Sequence, residues 1–339
     1  MQEQCPVCDR HLDFLTSTEY VNLTVKGGIF DGLSILVCNN CGFGFAYPFI
    51  DEAKLSAFYS SHYRAENSSH FAPDGGSGAA VFSTRAAAQL LLAKTFRDFK
   101  PGESFLDIGP GGSATFITAE ELLPGIKCVA VEPDSFCQEA LRAAGVEVIE
   151  DVFSATPPRK LSGRHFALIL MSHVLEHYNA PDLPKVLKNV RDLLADDGVF
   201  VCEVPGIGVR QHPGYEDTPH LSFFSESSLK DIFRKNGFEV LFSSCTGLKL
   251  EDARLAAKRV AETNSRVTLK RRARELLKAH IPESAYKAVY RAARKYGQAL
   301  SRATGVKASL YENLSAPDFS YGLDRECIRC VCRKSGSRE

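Results

Sequence analysis

The chain has 339 residues, of which 44% are hydrophobic and 24% charged. That is globular composition, and the length suits about two domains. Lys+Arg and Asp+Glu are 41 each, so net charge selects neither a nucleic acid nor any other partner of one sign.

Met1-Gln2-Glu3-Gln4-Cys5 shows no basic region leading into an apolar run, so no signal peptide is read. No apolar stretch approaches the roughly 20 residues that span a bilayer, and a cytoplasmic location is expected. There the 11 cysteines are metal ligands or buried thiols rather than disulfides.

The first 50 residues hold two paired-cysteine turns, Cys5-Pro6-Val7-Cys8 and Cys38-Asn39-Asn40-Cys41-Gly42, separated by 29 residues. Two such turns can place four thiolates around one ion, the closed tetrahedral site that Zn²⁺ favours. With no open position the ion is structural, and a module this small needs it to fold. The spacing therefore predicts a zinc-ribbon-like module over 1–50, with ligands Cys5, Cys8, Cys38 and Cys41. Its core is expected to be separate from the rest, and the run Tyr20–Val25 reads as a strand. Residues 51–82 read as a helix (51–63) and a Ser/Gly-rich linker from Asn67 to Ala80. A second helix is read from Thr84 to Phe99.

Alternation follows. The strand-like runs are Ser104–Ile108, Lys127–Val131, Val146–Ile149, Phe166–Met171, Val199–Val204, Glu239–Ser243 and Cys327–Arg333. Helical patterns over Thr115–Leu122, Phe136–Ala144, Leu183–Leu194 and Ser225–Asn236 lie between most of them. Strands alternating with helices predict an α/β fold, a doubly wound and mainly parallel sheet. The predicted organisation is a core over 83–248, a basic helical insertion over 249–315, and a final strand and tail over 316–339. In Cys327-Ile328-Arg329-Cys330-Val331-Cys332, alternation puts Ile328, Cys330 and Cys332 on one face of the strand and Cys327 and Val331 on the other. These read as buried thiols, not ligands.

The run Phe105-Leu106-Asp107-Ile108-Gly109-Pro110-Gly111-Gly112-Ser113-Ala114 is a strand entering a Gly-rich turn and a helix. Gly109, Gly111 and Ala114 also satisfy a dinucleotide fingerprint. Charge separates the two readings. A dinucleotide brings a pyrophosphate, whereas S-adenosylmethionine (SAM) brings a sulfonium and an ammonium group. Asp107, just before the turn, suits a cation and repels a phosphate. Glu132 ends the second strand, where an acid can accept both ribose hydroxyls. Asp151, after the third, is placed to meet the adenine edge.

Five segments in order, LDIGPGG (106–112), VEPD (131–134), LILMSHVLEHYNAPD (168–182), DDGVFVCEVPG (196–206) and HLSFFSESSLKDIFRKNGF (220–238), resemble the class I SAM-dependent methyltransferases. The resemblance implies a Rossmann-like seven-stranded sheet with an antiparallel last strand, and SAM above the C-terminal strand ends. It also implies that Asp107, Gly109 and Gly111 line the methionine part, Glu132 the ribose and Asp151 the adenine.

Methyl transfer requires alignment of acceptor and donor, plus a base only where the acceptor loses a proton. His173, after the fourth strand, and His220, in His220-Leu221-Ser222-Phe223-Phe224-Ser225, are the candidates. The zinc module and the His220 run resemble bacterial deoxysugar C-methyltransferases. That resemblance implies His220 as the base beside a sugar keto group, although Pro219 stands where the family has an acid.

Residues 254–302 carry 14 Lys or Arg and 3 Glu. They read as a solvated helical pair, a clamp on an anionic substrate or a membrane-surface contact. Nucleic acid is disfavoured, because no aromatic platform accompanies the charge. The expected function is SAM-dependent methylation of a small acceptor, anionic or glycan-linked, such as a sugar in polysaccharide biosynthesis. The rivals are RNA or protein methylation and a non-catalytic SAM-fold scaffold.

Overall fold

The computed structural model describes residues 4–11, 15–22, 28–61, 77–211, 215–249 and 325–336. The chain divides into two units, Met1–Gly247 with Ala316–Glu339, and Leu248–Ser315. The basic segment 254–302 lies outside the described residues, so the readings that rest on it are untouched by the structure.

Two sheets organise the first unit. The smaller has four strands in the order β1-β2-β3-β9, with β1 Leu15–Glu19, β2 Ser34–Cys38, β3 Gly44–Tyr47 and β9 Ser222–Phe223. The larger has seven strands in the order β10-β11-β8-β7-β4-β5-β6. They are β4 Ser104–Ile108, β5 Lys127–Val131, β6 Glu147–Ile149, β7 Phe166–Ser172, β8 Leu194–Pro205, β10 Phe238–Lys249 and β11 Arg325–Lys334. Strands β8-β7-β4-β5-β6 pair in parallel, while β11 runs antiparallel to β8. This is the doubly wound Rossmann-like sheet that the sequence predicts, with its last strand reversed. Its parallel strands are apolar along their length because helices cover both faces; Phe166 through Met171 are all buried.

The helices are α1 Glu52–Ser61, α2 Ser77–Phe96, α3 Ala114–Leu122, α4 Ser135–Ala143, α5 Leu183–Leu193 and α6 Glu226–Lys235. In α5 the buried residues Leu183, Val186, Leu187 and Val190 recur at helical spacing, the stripe that seats the helix on the sheet. Helix α6 starts at a capping box, in which Ser225 Oγ accepts from Ser228 N–H and Ser228 Oγ from Ser225 N–H. Phe200, Phe233 and Phe238 pack together beneath it, with ring centroids 5.6 to 6.0 Å apart.

Three local expectations are corrected. Of the strand expected at Tyr20–Val25, Tyr20–Asn22 follow β1 without regular structure, and residues 23–25 lie outside the described residues. Helix α2 begins at Ser77, so the end of the expected linker is helical. The module's packing is also not separate from the rest: Tyr20, Phe30, Leu33, Ile35 and Ala46 form a second cluster that includes Leu221 and Phe223. Cys5, Val7, Cys38, Phe43 and Phe45 belong to the same buried cluster as Leu106, Ile169 and Phe200, and Phe43 packs on Phe224 at 5.3 Å. The cause is β9. The segment after β8 folds back and pairs with β3, Gly44 opposite Phe223 and Phe45 opposite Ser222, sewing the module onto the larger domain.

Candidate functional site

At the N-terminus the four cysteine sulfurs converge within 4.8 Å of one another, and none is in a disulfide. Cys5 and Cys41 Sγ are 3.7 Å apart, Cys8 and Cys38 Sγ 3.5 Å. Zn–S bonds of about 2.3 Å in a tetrahedron place sulfurs about 3.8 Å apart, so the donor set fits one zinc ion. Gly42, at φ +70°, turns the second knuckle, and its amide donates to the Cys38 carbonyl at 2.8 Å. Ser225 Oγ, the cap of α6, donates to the Cys41 carbonyl at 2.8 Å, so the cysteine turn sits on that helix end.

In the larger sheet, β4, β5 and β7 deliver their ends to one edge, the C-terminal edge where ligands bind in open α/β sheets. Asp107 is 1% exposed and its Oδ2 has no hydrogen-bond partner. Burial, aided by the nearby Glu132 charge and opposed by a hydrogen bond from Thr115, pushes its carboxyl up to about 8. A buried, unsatisfied carboxyl at a strand end is the complement of a cationic ligand. Gly109 (φ +67°) and Gly111 (φ +64°) make the turn. A Cβ on Gly109 would lie 2.8 Å from Val174 Cγ2, so side-chain bulk is excluded there. Glu132 is buried and accepts from Gly111 N–H at 2.9 Å and Asp134 N–H at 3.0 Å, which fixes its carboxylate beside the turn. These residues fit SAM: an acid for the cationic end, a tight turn for close approach, and an oriented acid for the ribose. Asp151 lies past the end of β6, exposed, with Oδ1 accepting from Val152 N–H at 2.8 Å.

Next to this turn stands a group of histidines and acids. His173 leaves β7 at φ +57°, a conformation unusual for a non-glycine residue. Its amide donates to the Glu203 carbonyl at 2.8 Å. Its ring lies 3.5 Å from both Glu176 and Glu203 and 3.7 Å from Cys327 Sγ. Burial opposes the charged ring, but Cys327, Glu176 and Glu203 outweigh it and hold its pKa well above the ordinary value.

Glu203 is the hub of an ion network absent from the sequence reading. Arg329 Nε donates to it at 2.5 Å, Arg85 lies 3.3 Å away, and Gln89 donates to Oε2 at 3.1 Å. Burial works against its charge, yet Arg329 and His173 hold its carboxyl below the ordinary range. The visible signal was an acid inside an apolar strand, Val-Cys-Glu-Val at 201–204. Its partner Arg329 sits directly opposite on β11.

His220 and His177 face each other with ring centroids 5.1 Å apart. Tyr215 Oη is 2.9 Å from His220 Nδ1, and the Pro219 carbonyl is 3.4 Å from His177 Nδ1. Burial, then repulsion from His177, pushes His220 down to about 3, and burial lowers His177 as well. Both rings are neutral at pH 7. The N-terminal module and α1 hold this loop. Tyr20 Oη donates to the His220 carbonyl at 3.0 Å, Val21 N–H to Asp217 Oδ2 at 2.8 Å, and Tyr59 Oη to the Pro219 carbonyl at 3.4 Å. The structure thus brings His220 and His173 into one group around Glu176.

Residues 82–242 match a family of methyltransferase domains. A C-methyltransferase of Streptomyces niveus, NovU, is 25% identical over 253 residues, 70% of this chain and 56% of that protein. The chain thus spans little more than half the length of this curated relative. Among solved structures, the CcbJ methyltransferase of Streptomyces caelestis matches with a TM-score of 0.48 at 12% identity, covering 83% of this chain and 99% of that one. Coclaurine N-methyltransferase bound to N-methylheliamine and SAH gives 0.47 at 16% identity, covering 78% and 74%. The parallel strands of the larger sheet and the Gly109 turn lie within the stretch that is similar to methyltransferase domains. The four-cysteine module precedes that stretch in the chain.

Proposed function

We propose that the protein transfers a methyl group from SAM to a small-molecule acceptor, a sugar or glycan precursor, and that the four cysteines hold a structural zinc ion. The observation that carries the reading is the buried, unsatisfied Asp107 at the Gly109 turn, with the histidine group on the adjacent strand end. When bound, SAM supplies a sulfonium methyl group whose sulfur keeps the bonding electron pair, leaving S-adenosylhomocysteine. Asp107, Gly109 and Gly111 take the methionine part, Glu132 accepts the ribose hydroxyls, and Asp151 reaches the adenine.

His220 takes the acceptor's proton, with His173 as the second candidate. A neutral imidazole has the lone pair that this step needs. The relative named a C-methyltransferase and the resemblance of the His220 run support a carbon acceptor beside a keto group. The tyrosines that hold the loop keep the ring in place while the acceptor binds.

His220→Ala tests the assignment. Turnover of the acceptor falls about 100-fold or more, since general-base catalysis contributes about 10²–10⁴, while SAM affinity is unchanged. Normal turnover with a lowered melting temperature would make His220 structural.

A further inference from the structure

Three cations meet at one carboxylate beside the histidine group. Glu203 Oε2 takes Arg329, through Nε and Nη2, and the Gln89 amide. Its Oε1 faces Arg85 Nε at 3.3 Å and His173 Nε2 at 3.5 Å. Arg85 and Gln89 stand one turn apart on α2, so that helix brings a donor to each oxygen. Donors remain once Glu203 is satisfied. Arg329 is 4% exposed, and its Nη1 has no hydrogen-bond partner. Among the described residues Arg85 meets Glu203 alone, through Nε, which leaves the outer nitrogens of its guanidinium unused. The other carboxylate, Glu176, is taken up by the His173 ring at 3.5 Å. Two carboxylates thus face three cations, and the Cys327 thiol, with Sγ 3.7 Å from His173 Nε2, is the remaining ionisable group at that ring. A buried cation with an unused donor is costly unless an acceptor completes it.

The cluster stands at the ligand edge of the larger sheet. Glu203 lies two residues before the end of β8, and Val174, next to His173, borders Gly109. Arg329 is enclosed, whereas the Arg85 and His173 side chains keep 29% and 28% of their surface exposed, so the cluster opens on their side. We infer that Arg85 and Arg329 hold a carboxylate group of the methyl acceptor, which makes the substrate an acidic sugar or a similar small carboxylate. A guanidinium presents its N–H groups in one plane, matching a carboxylate in shape as well as charge. Glu203 prepares the fork instead of competing with the ligand: Arg329 offsets its charge, and by engaging Arg85 at Nε it leaves the outer nitrogens to the substrate. A single surplus positive charge suits a carboxylate better than a phosphate ester, which carries about −1.5 to −2 at pH 7. Anchoring the acceptor at its charged end limits the orientations in which it meets the methyl group. The inference rests on the reading that this edge faces the acceptor, and it deepens that reading by naming the acceptor's class.

Full-length, zinc-loaded protein saturated with S-adenosylhomocysteine and titrated with glucuronate tests this, with glucose as the uncharged control. One glucuronate binds per chain by calorimetry, and glucose gives no heat. Arg85→Gln weakens glucuronate at least about tenfold, as expected for one charge-assisted contact. Arg329→Lys keeps a charge opposite Glu203 but removes the fork, and weakens it likewise. SAM affinity is unchanged in both variants. Absence of glucuronate binding, equal affinity for glucose, or binding indifferent to both substitutions overturns the inference. Tighter glucuronate binding in Cys327→Ser overturns it as well, because a Cys327 thiolate is then the counter-ion of the cluster. A fall in SAM affinity on Arg85→Gln, with decarboxylated SAM bound equally by native protein and variant, assigns the guanidiniums to the cofactor's own carboxylate and has the same consequence. Loss of the glucuronate result with intact SAM binding removes this inference alone, whereas native protein that fails to bind SAM removes the methyltransferase reading with it.

Discussion

At the scale of single residues, the site is built from groups that pay for their burial in different ways. Asp107 is held protonated until about pH 8 by burial, with the nearby Glu132 charge acting in the same direction. In the unfolded chain its pKa is about 3.9. Between those values the folded protein keeps a proton that the unfolded chain releases, so this residue's contribution to stability falls as pH rises from about 4 to 8. Asp107→Asn removes that dependence. Without SAM, the variant melts above the native protein at pH 8 by several degrees, and the gap closes near pH 4. Its SAM affinity falls, because the cationic ligand loses its carboxylate, and native SAM binding tightens as pH rises toward 8. Melting curves and titrations across pH check both signs. With Glu132 in the proposed ribose role, Glu132→Ala is expected to cost a charge-assisted contact of about 1.5–3 kcal/mol and to weaken SAM about 10- to 100-fold. Asp107 and Glu132 were legible from the strand-turn-helix pattern, since each acid ends a strand. The roles of Glu176, Glu203 and Arg329 were not. Each gains its meaning from a partner on another segment, and no local pattern pairs β8 with β11 side chains.

At the scale of elements, periodicity located most of the larger sheet. Strands β4 and β5 fall on the expected bounds, and Ile328, Cys330 and Cys332 share one face and join the main buried cluster as alternation requires. Strand β8 instead begins at Leu194, five residues before the expected start. Its Asp-Asp-Gly run reads locally as a turn, but Phe166 pairs with Leu194 across a register shift and draws it into the ladder. The pairing of β3 with β9 was illegible because it joins segments some 180 residues apart through a two-residue strand. That pairing changes what zinc loss does. Cys38→Ser is expected to release zinc and, through Phe43, Phe45 and Phe224, to lower the melting temperature of the whole domain in one cooperative transition. Two separate transitions, with the SAM-binding one unmoved, would show independent cores after all; calorimetry on reduced, zinc-assayed protein distinguishes them.

For the whole molecule, the four-cysteine module acts as a support for the loop that carries His220. Its sheet is completed by β9, its Tyr20 and Val21 hold the loop carrying His220, and Asn179, after the histidine turn, clamps Ile50 by donating to its carbonyl at 2.8 Å and accepting from its amide at 3.2 Å. No helix among the described residues is long and apolar enough to cross a membrane. The central claim is that the Gly109 turn, with Asp107 behind it and Glu132 beside it, takes SAM and not a dinucleotide. Calorimetric titration of the full chain with SAM and, separately, with NAD tests it most directly. The account predicts one SAM bound per chain, weakened by Asp107→Asn and Glu132→Ala, and no heat from NAD. Binding of NAD, or SAM binding indifferent to both substitutions, would contradict it.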